Sequence, residues 1–508
     1  MKVVLWLCAA LVAGFYIVGP IQDPDLWWHI TVGRWILAHT DIPHQDLWGM
    51  FSHGQPWRAY SWSNEIIYAL AERWWGIQGL LSLKLVLAAA LSISLCAVFS
   101  KLSKDWFVGL LLGIFACVSC FNHYTLRPQS LIWIVFAWLL LVADNVEREG
   151  VKRTSRLALI GLMAVWANTH LSAVLGVGAV LLWVYGSGPL RSGAVRAGHA
   201  FLWAFLGTLI TPYLGGEWLT FFAKSGHPLE FRAIAEFQPA TVTQYSTVFL
   251  IVSCLLLAVL VTQRPRILPP GKLILWAGFC IGSLAIVKFL PFAVILTCAL
   301  IARGYREQRA EGAGQASGRE RSALANLMEA VERFRAFVLS IPAEGLSFVF
   351  ICMSAVSVYK VWKEPLAFEV VPQLAVDFIQ KHNLPAPIAN IFGHGGYLMY
   401  RFSDAEGNPG RPVAIDGRTN LIAKDLWRKY NATYSGKRTW KEYLDIVKPE
   451  TILWRDDSPL GSLLVAEGIW CEIFSSGPER SKVSVFAKRS YVEAHRDEFP
   501  ASSCDSKP

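Results

Sequence analysis

Charged residues are scarce in this 508-residue chain: Asp, Glu, Lys and Arg make up 17% of it, against 54% for hydrophobic residues. Soluble domains have about a quarter charged residues and about 45–50% apolar ones, so a soluble enzyme and a disordered chain are excluded. The chain also lacks a basic stretch studded with aromatic residues, which excludes a nucleic-acid-binding surface. These absences leave a membrane protein with several spanning helices as the class that the composition favours.

Cysteines in polar sequence are also few. Eight of the ten cysteines lie inside apolar runs, where a thiol behaves as a small hydrophobic group. Cys117 and Cys120 have the C-x-x-C spacing of a metal or redox motif, but no second pair accompanies them. Only Cys471 and Cys504 lie in polar sequence, so at most one disulfide is expected there. A disulfide-rich scaffold is therefore excluded.

The chain has instead a series of apolar runs. Eleven of them lie at about 3–20, 80–100, 106–121, 130–143, 157–167, 171–186, 200–214, 245–262, 273–287, 290–302 and 341–359. Several are shorter than the roughly 20 residues that cross a bilayer as a helix, so their ends are approximate. No small-residue cleavage site follows the first run, which we interpret as a retained helix rather than a signal peptide.

Basic residues between the runs form five segments. These segments contain Lys101 and Lys104; Arg148, Lys152, Arg153 and Arg156; Arg191 and Arg196; Arg264, Arg266 and Lys272; and Arg303 to Arg335. If they lie in the cytoplasm with Lys2, an even number of crossings separates each from the next, in agreement with the positive-inside rule. The pattern predicts a polytopic α-helical membrane protein with about 11 transmembrane helices in residues 1–359. Its N-terminus is then cytoplasmic and its C-terminus extracytoplasmic.

The tail after the last run differs in composition from the rest. Residues 360–508 return to a soluble composition, and short β-like pieces alternate with helical stretches. The β-like pieces lie at 388–392, 412–415 and 451–454, and the helical stretches at 372–382, 420–430 and 438–447. This alternation predicts an extracytoplasmic α/β domain. On the other side of the membrane, 303–340 is a predicted cytoplasmic insert made of a glycine-rich loop and an amphipathic surface helix.

The first outside loop, residues 21–79, holds the densest group of chemically competent side chains. It contains Asp-Pro-Asp-Leu-Trp-Trp-His at 23–29, followed by Gly-Arg-Trp-Ile at 33–36, Ile-Pro at 42–43 and Trp-Ser-Asn-Glu at 62–65. Carboxylates at the membrane boundary are hard to desolvate and often mark function. Asp25 and His29 lie one helical turn apart and share a helix face. Either Asp23 or Asp25 could instead cap the start of the helix.

These first-loop sequences resemble those of bacterial multi-spanning proteins grouped with the GT-C glycosyltransferase superfamily. The resemblance extends over nearly the whole chain, through Arg127-Pro128-Gln129, Trp166-Ala167-Asn168-Thr169-His170, Thr211-Pro212-Tyr213, Glu236-Phe237-Gln238-Pro239, Gly393-His394-Gly395-Gly396-Tyr397-Leu398 and Ile415-Asp416-Gly417-Arg418. It implies a multi-pass enzyme of the bacterial inner membrane with an acidic motif in the first outside loop. Such enzymes transfer a sugar from a polyprenyl-phosphate-linked donor to an acceptor glycan, lipid or protein at the outer face, with inversion at the anomeric carbon.

Inverting transfer needs a general base that takes the proton of the acceptor hydroxyl. We expect this base to be Asp25, with Asp23 as the alternative. The leaving lipid phosphate needs a cation beside it, and Arg127 on an outside loop is the first candidate. Arg127 could also be an ordinary snorkelling residue at a helix end.

Further candidates for binding the donor phosphate or the substrate are His29, Arg34, Arg58, Glu65, Asn168, His170 and Lys288. His170 could instead hold the turn between two short helices, and Glu65 could close the first loop. A divalent metal ion is also possible, since Asp23, Asp25, Glu65 and His29 are suitable ligands. Their spacing matches no fixed metal motif, so metal dependence stays open.

Two glycine-containing motifs of the tail are interpreted as turns. Residues 393–397 lack the Gly-Lys-Ser/Thr ending of a phosphate loop, which favours a tight turn. Residues 416–418 are expected to form a second turn with an Asp–Arg pair on the surface. The tail then either helps to bind the acceptor or is a structural cap.

Two other functions are compatible with these features. A transporter or flippase of lipid-linked sugars also has many helices and buried polar groups, although the two halves of this chain do not repeat. A non-catalytic membrane assembly protein would use its tail to bind partners. It would not need Asp25, His29 and Arg127 to converge.

Overall fold

The computed structural model describes residues 2–186, 190–225, 235–263, 265–312, 323–367, 371–455, 458–476, 482–499 and 504. The chain is mostly helical, at 69%, with a small sheet near the C-terminus. It divides into two compact units. The membrane unit consists of Met1–Gly19 and Leu81–Lys363, and the loop–tail unit consists of Pro20–Leu80 and Glu364–Pro508.

The loop–tail unit combines two segments that the sequence pattern places in different domains. Residues 21–79 are predicted to belong to the membrane domain, 1–359, yet they pack into one compact unit with the tail. Backbone pairing joins the two segments at their starts, since Ile21 N–H donates to Pro365 O at 2.7 Å and Ala367 N–H donates to Ile21 O at 3.0 Å. The boundary at 359/360 stays a prediction, whereas the packing of the first loop is with the tail.

Helices make up the membrane unit. They are α1 (Lys2–Tyr16), the second part of α3 (Trp62–Ser103), α4 (Trp106–Ser119), α5 (Pro128–Glu149), α6 (Arg153–Ala167), α7 (Ala173–Val184), α8 (Leu190–Thr208), α9 (Gly216–Ser225), α10 (Tyr245–Gln263), α11 (Pro270–Ala285), α12 (Leu290–Gly312), α13 (Ala323–Ser340) and α14 (Ala343–Lys363). Short 3₁₀ turns at Ala235–Phe237 and Val287–Phe289 lie between these helices.

Five helices within the described residues are long and apolar enough to cross a membrane. They are Trp62–Ser103, Pro128–Glu149, Tyr245–Gln263, Val287–Ala310 and Ala343–Lys363. Helices α1, α4, α7 and α11 are apolar but shorter, at 10–17 residues, so the predicted count of about 11 is not confirmed and stays a prediction. On α14 the side chains of Phe348, Ile351 and Val356 are exposed, as expected of a helix that faces lipid. Composition and these helices identify the chain as a membrane protein.

Helix α3 is interrupted where the two units join along the chain. Its 42 residues would extend about 63 Å as one straight helix, about twice the hydrocarbon core of a bilayer. The backbone leaves the helical conformation at Trp75 and Gly76, where Gly76 has φ +58°. Glycine reaches this left-handed region without a steric penalty. The residues before the break therefore form a separate helical segment, which the sequence pattern does not indicate.

Four of the five predicted basic segments contribute cations to one network of ion pairs and hydrogen bonds in the membrane unit, and the remaining segment, Lys101 and Lys104, directly precedes its acid Asp105. Its acids are Asp105, Asp144 and Glu147. Asp105 binds Arg309 and Arg335 at 2.7 and 2.6 Å, Asp144 binds Arg306 at 2.8 Å, and Glu147 binds Lys272 and Arg303 at 2.8 and 2.9 Å. Arg148 binds Asp144, and Arg196 donates to the backbone oxygen of Glu147. Segments predicted to share the cytoplasmic side thus lie together.

The loop–tail unit is built around a four-stranded sheet. Its strands are β1 (Ile388–Asn390), β2 (Thr451–Arg455), β3 (Trp470–Ser476) and β4 (Val483–Lys488), in the order β1-β2-β4-β3. Strands β1 and β2 are parallel, and the other two pairs are antiparallel. The helices are α2 (Leu26–His39), the first part of α3, α15 (Gln373–Lys381), α16 (Phe392–Phe402), α17 (Lys424–Tyr434), α18 (Lys441–Val447), α19 (Leu460–Glu467) and α20 (Arg489–Ala494).

Most of the predicted tail elements are present. Strands β1 and β2 and helices α15, α17 and α18 occupy the predicted positions, and Cys471 forms the expected disulfide with Cys504. The third β-like piece, 412–415, is wrong as a strand. Val413 instead makes an isolated bridge with Gly49 of the first loop, where Met50 N–H donates to Val413 O at 2.9 Å. Its apolar residues are buried by this pairing with a distant segment.

We expect Glu147→Gln to lower the free energy of unfolding by about 3–5 kcal/mol, because it removes the carboxylate that binds the buried Lys272 and one of the carboxylates that bind Arg303. Thermal unfolding of the purified chain in detergent measures this loss. Glu149→Gln is the matched control, since Glu149 binds Lys152 at the surface, where water screens an ion pair and it contributes little to stability. Equal melting of the two variants would contradict a stabilising role of the network.

Candidate functional site

The start of α2 separates the roles of the two first-loop carboxylates. Asp23 is buried, and its Oδ1 accepts the Asp25 N–H at 2.9 Å, so Asp23 supports the chain as it enters the helix. Asp25 precedes the first residue of α2, but its side chain does not cap the helix. It is partly exposed, whereas Asp23 is 4% exposed. Of the two carboxylates, Asp25 is therefore the one accessible to a substrate.

The Asp25 carboxylate lies against the backbone of Gly417 in the tail. A Cβ atom added to Gly417 would be 1.8 Å from Asp25 Oδ1 and 3.2 Å from Trp28 Nε1. Since real Cβ contacts are never this short, only glycine at position 417 leaves room for the Asp25 carboxylate in this position. The tail motif at 415–418 is thus part of the surroundings of Asp25.

The glycines of the motif at 393–397 have a similar packing role. This segment is the first part of α16 rather than a tight turn, so that interpretation is wrong. A Cβ atom on Gly395 would be 1.9 Å from Ile415 O, and one on Gly396 would be 2.5 Å from Pro24 O. Helix α16 therefore contacts both the 415–418 motif and the 23–25 motif through its backbone. His394 directly precedes Gly395 and is buried. Burial and the positive charge of Arg455 lower the pKa of His394 to about 3, so its imidazole is neutral.

Arg418 joins the first loop to the tail. It is buried rather than on the surface, which corrects the expected surface ion pair. Its Nε and Nη2 bind Asp416 at 3.0 and 2.7 Å, and its Nη1 binds Asp46 of the first loop. The guanidinium carbon also lies 5.7 Å from the centre of the Trp48 ring and 5.2 Å from that of Trp57. Two carboxylates and two indoles thus replace the water that surrounds an exposed guanidinium.

Asp46 is held in its charged form by this arrangement. Burial alone would raise its pKa, but Arg418, the Ser52 hydroxyl and the Trp48 N–H together lower the pKa of Asp46 below its usual value. Ser52 Oγ donates to Asp46 at 2.5 Å and Gly49 N–H at 3.0 Å. A lowered pKa in the folded state stabilises the fold above the usual pKa of an aspartate, and this stabilisation is lost as the pH falls through the lowered value.

His29 and Glu65 form a buried pair one turn below Asp25 on α2. His29 Nδ1 lies 3.2 Å from Glu65 Oε1, and both side chains are almost fully buried. The Trp28 ring lies against the imidazole, with 3.6 Å between ring centres. The second oxygen of Glu65 is buried and has no hydrogen-bond partner among the described residues. The pair joins α2 to the start of α3, and we expect Glu65 to orient the imidazole.

The two first-loop arginines have different surroundings. Arg34 binds Glu72 through Nε at 3.2 Å and Nη2 at 2.8 Å, and its guanidinium lies 4.6 Å from the centre of the Tyr400 ring. The Tyr400 hydroxyl donates to the same carboxylate at 3.0 Å. Arg34 therefore joins α2, α3 and α16, whereas Arg58 is exposed. A phosphate-binding role for either arginine stays a prediction.

Arg127 and Lys288 are brought together in the membrane unit by one carboxylate. Arg127 immediately precedes α5, and Lys288 lies in the 3₁₀ turn before α12. Oxygen Oε2 of Glu236 accepts from Arg127 Nη1 and lies 3.4 Å from Lys288 Nζ. Burial would raise the pKa of Glu236, but the two cations outweigh it and lower the pKa to about 2. The sequence motif at 236–239 gives no specific role to Glu236. The position of this carboxylate in a predicted outside loop is the sequence feature that indicates one.

Asn168 and His170 hold the turn between α6 and α7. Asn168 Nδ2 donates to Ala164 O at 2.8 Å and to Ile210 O at 2.7 Å, joining the turn to the end of α8. His170 Nδ1 accepts the Ser172 N–H at 3.1 Å, which favours the structural interpretation of this histidine. Substrate binding by these two residues stays a prediction.

A metal centre is not evident in the part of the chain that the structure describes. No group of three or more His, Cys, Asp or Glu side chains there is arranged to hold a metal ion. Asp23, His29 and Glu65, three of the four predicted ligands, bind protein groups instead. Metal dependence stays open.

We expect Gly417→Ala to lower the free energy of unfolding by about 1–3 kcal/mol, because the new methyl group overlaps the Asp25 carboxylate. Gly393→Ala is the matched control, since a Cβ atom there meets no atom within 4 Å. This alanine lies within α16, where alanine is favoured over glycine by about 0.5–1 kcal/mol. Thermal unfolding of both variants in detergent separates them, and an unchanged Gly417→Ala protein would contradict the close contact.

Comparison with known proteins finds neither a matching family model nor a matching curated protein. Among solved structures, the chain is similar to the archaeal oligosaccharyltransferase AglB from Archaeoglobus fulgidus in complex with an inhibitory peptide and a dolichol-phosphate. The TM-score is 0.50 at 10% identity, covering 96% of this chain and 74% of that one. The crystal structure of the Archaeoglobus fulgidus oligosaccharyltransferase tethered by a disulfide bond to an acceptor peptide with the NVT sequon matches with TM-score 0.50 and 11% identity over the same shares. This likeness shows that the chain shares the fold of these oligosaccharyltransferases, a membrane-enzyme fold as the sequence resemblance implies.

Proposed function

We propose that this chain is a membrane glycosyltransferase that uses a polyprenyl-phosphate-linked sugar as its donor. The observation that carries the proposal is the partly exposed Asp25 carboxylate at the start of α2, seated on Gly417 of the tail. A carboxylate held this way on two segments keeps one position, which a general base requires. The GT-C-like fold supports the same reaction class, with fold likeness as an analogy rather than proof of chemistry.

In the proposed reaction, Asp25 takes the proton of an acceptor hydroxyl or amide. The acceptor atom then forms a bond to the anomeric carbon, and the bond between that carbon and the phosphate oxygen breaks. The electron pair of the broken bond stays on the phosphate, which leaves with an additional negative charge. Attack opposite the leaving group inverts the anomeric configuration.

Arg127 and Lys288 supply the positive charge that the leaving phosphate needs. Both side chains are partly exposed, at 17% and 29%, so an anionic headgroup can reach them. Arg127 also stands at the N-terminus of α5, where the helix dipole favours negative charge. The dolichol-phosphate in the AglB complex is a lipid phosphate of the proposed class, whereas the acceptor, a glycan, a lipid or a protein, stays open here.

We further propose a location in the bacterial inner membrane, with about 11 helices, a cytoplasmic N-terminus and an extracytoplasmic tail. Two sets of contacts in the membrane unit support this topology. Four of the five basic segments assigned to the cytoplasm contribute cations to one network, and Arg127, Glu236 and Lys288 from three segments assigned to the outside share another. The disulfide between Cys471 and Cys504 is typical of an oxidising compartment, which supports an extracytoplasmic tail.

We expect Asp25→Asn to lower sugar transfer at least about 100-fold, since a positioned general base contributes roughly 10²–10⁴-fold. Transfer is measured in membranes with a radiolabelled polyprenyl-phosphate sugar. Asp23→Asn is the matched control: an asparagine oxygen still accepts the N–H of Asp25, so most activity remains. Full transfer by both variants would exclude this mechanism, and transfer abolished only in Asp23→Asn would reassign the base to Asp23.

A further inference from the structure

The triad of Arg127, Lys288 and Glu236 contains a negative group placed where the donor phosphate is proposed to bind. The same oxygen, Glu236 Oε2, faces both Arg127 Nη1 and Lys288 Nζ. A phosphate oxygen bound by these two cations would need to occupy that position. Glu236 and the phosphate therefore compete for the same donors.

We propose that Glu236 is an exchangeable counterion that occupies the phosphate site until the lipid phosphate displaces it; this inference rests on the proposed function. The three side chains are 17%, 29% and 25% exposed, so the exchange requires no opening of a packed core. Glu236 lies in a single 3₁₀ turn, Ala235–Phe237, rather than in a long helix. A side-chain rotation there moves the carboxylate away without breaking a helix.

Charge gives this exchange a direction along the reaction. The donor phosphodiester has one negative charge, and the monophosphate that leaves has nearly two near neutral pH. Two cations bind the more highly charged group better, so Glu236 competes more effectively against the donor than against the leaving phosphate. The cost of displacing Glu236 is nevertheless the same for the donor and for the transition state, so the exchange lowers the apparent affinity of the site without changing kcat.

Glu236 also keeps the two cations at a fixed distance from each other when no phosphate is bound. Val287 N–H donates to Gln238 O at 2.8 Å, so the turns that carry Glu236 and Lys288 are joined by their backbones. The Phe237 ring lies 5.4 Å from Lys288 Nζ and further restricts the ammonium group. Displacing the carboxylate therefore leaves a prearranged pair of cations.

Equilibrium binding of radiolabelled farnesyl phosphate to the purified full-length chain in detergent tests the proposal. We expect Glu236→Gln to bind this probe about tenfold more tightly, because a site occupied by its own carboxylate for about nine-tenths of the time loses that factor in apparent affinity. Glu344→Gln, which removes an exposed carboxylate from the start of α14, is the matched control and leaves the affinity unchanged. Arg127→Ala is expected to weaken binding. In the transfer assay, Glu236→Gln should lower KM for the donor and leave kcat unchanged, whereas a merely structural role would not lower KM alone.

The outcomes distinguish the inference from the proposed function. Suppose that the wild-type chain binds the probe and that Arg127→Ala weakens binding. If Glu236→Gln then binds the probe no more tightly than the wild type, the exchange role of Glu236 is wrong, but the proposed phosphate site is still supported. If the wild-type chain does not bind, or Arg127→Ala has no effect, the phosphate site itself is wrong. Competition by inorganic phosphate at equal concentration would show a site for free phosphate rather than for an isoprenyl phosphate. If Glu236→Gln does not elute at the same position as the folded wild-type protein, Glu236→Asp replaces it. A smaller gain in affinity is then expected from the shorter side chain, and unchanged binding by that variant overturns the exchange role.

Discussion

The ion pair between Arg418 and Asp46 is the contact on which the loop–tail unit depends. The two residues are 372 positions apart, and both are buried. A guanidinium that leaves water needs charged partners, and removing one partner leaves an uncompensated buried charge. Neither segment alone contains the complete set of partners, since Asp416 belongs to the tail and Asp46 to the first loop. Each segment therefore requires the other to bury Arg418 and its neighbouring indoles.

This dependence explains how the tail reaches the proposed base. Asp416 and Arg418 flank Gly417, so fixing the guanidinium also fixes the glycine against which the Asp25 carboxylate lies. Helix α16 supports the same place through Gly395 and Gly396. The tail is thus neither a detached cap nor only an acceptor-binding domain. It forms one wall of the Asp25 environment, and the position of that carboxylate is set by residues more than 390 positions away in the sequence.

Features with a local cause could be predicted from the sequence. Strands β1 and β2, helices α15, α17 and α18 and the Cys471–Cys504 disulfide follow from short-range patterns, and the shared location of the basic segments follows from charge between apolar runs. Features set by distant partners could not. The sequence predicts a strand at 412–415, but this segment pairs with the first loop instead. It also predicts a surface position for Arg418, which is buried against Asp46, and it does not indicate that Arg34 binds Glu72. Within the triad, Arg127 and Lys288 were predicted separately, and only the fold places Glu236 between them.

The two cation clusters differ in a way that separates a structural role from a binding one. Arg418 has two carboxylates and is 2% exposed, so its charge is more than balanced and water has no access to it. Arg127 and Lys288 share the Glu236 carboxylate and are partly exposed, so an anion from outside can reach them. An incoming phosphate would gain little at Arg418, where two carboxylates repel it and no donor is accessible. At Arg127 and Lys288 it replaces the carboxylate of Glu236, and its negative charge then increases as the bond to the sugar breaks. Exposure and a displaceable carboxylate are therefore the physical reasons to assign phosphate binding to the second cluster and the joining of loop to tail to the first.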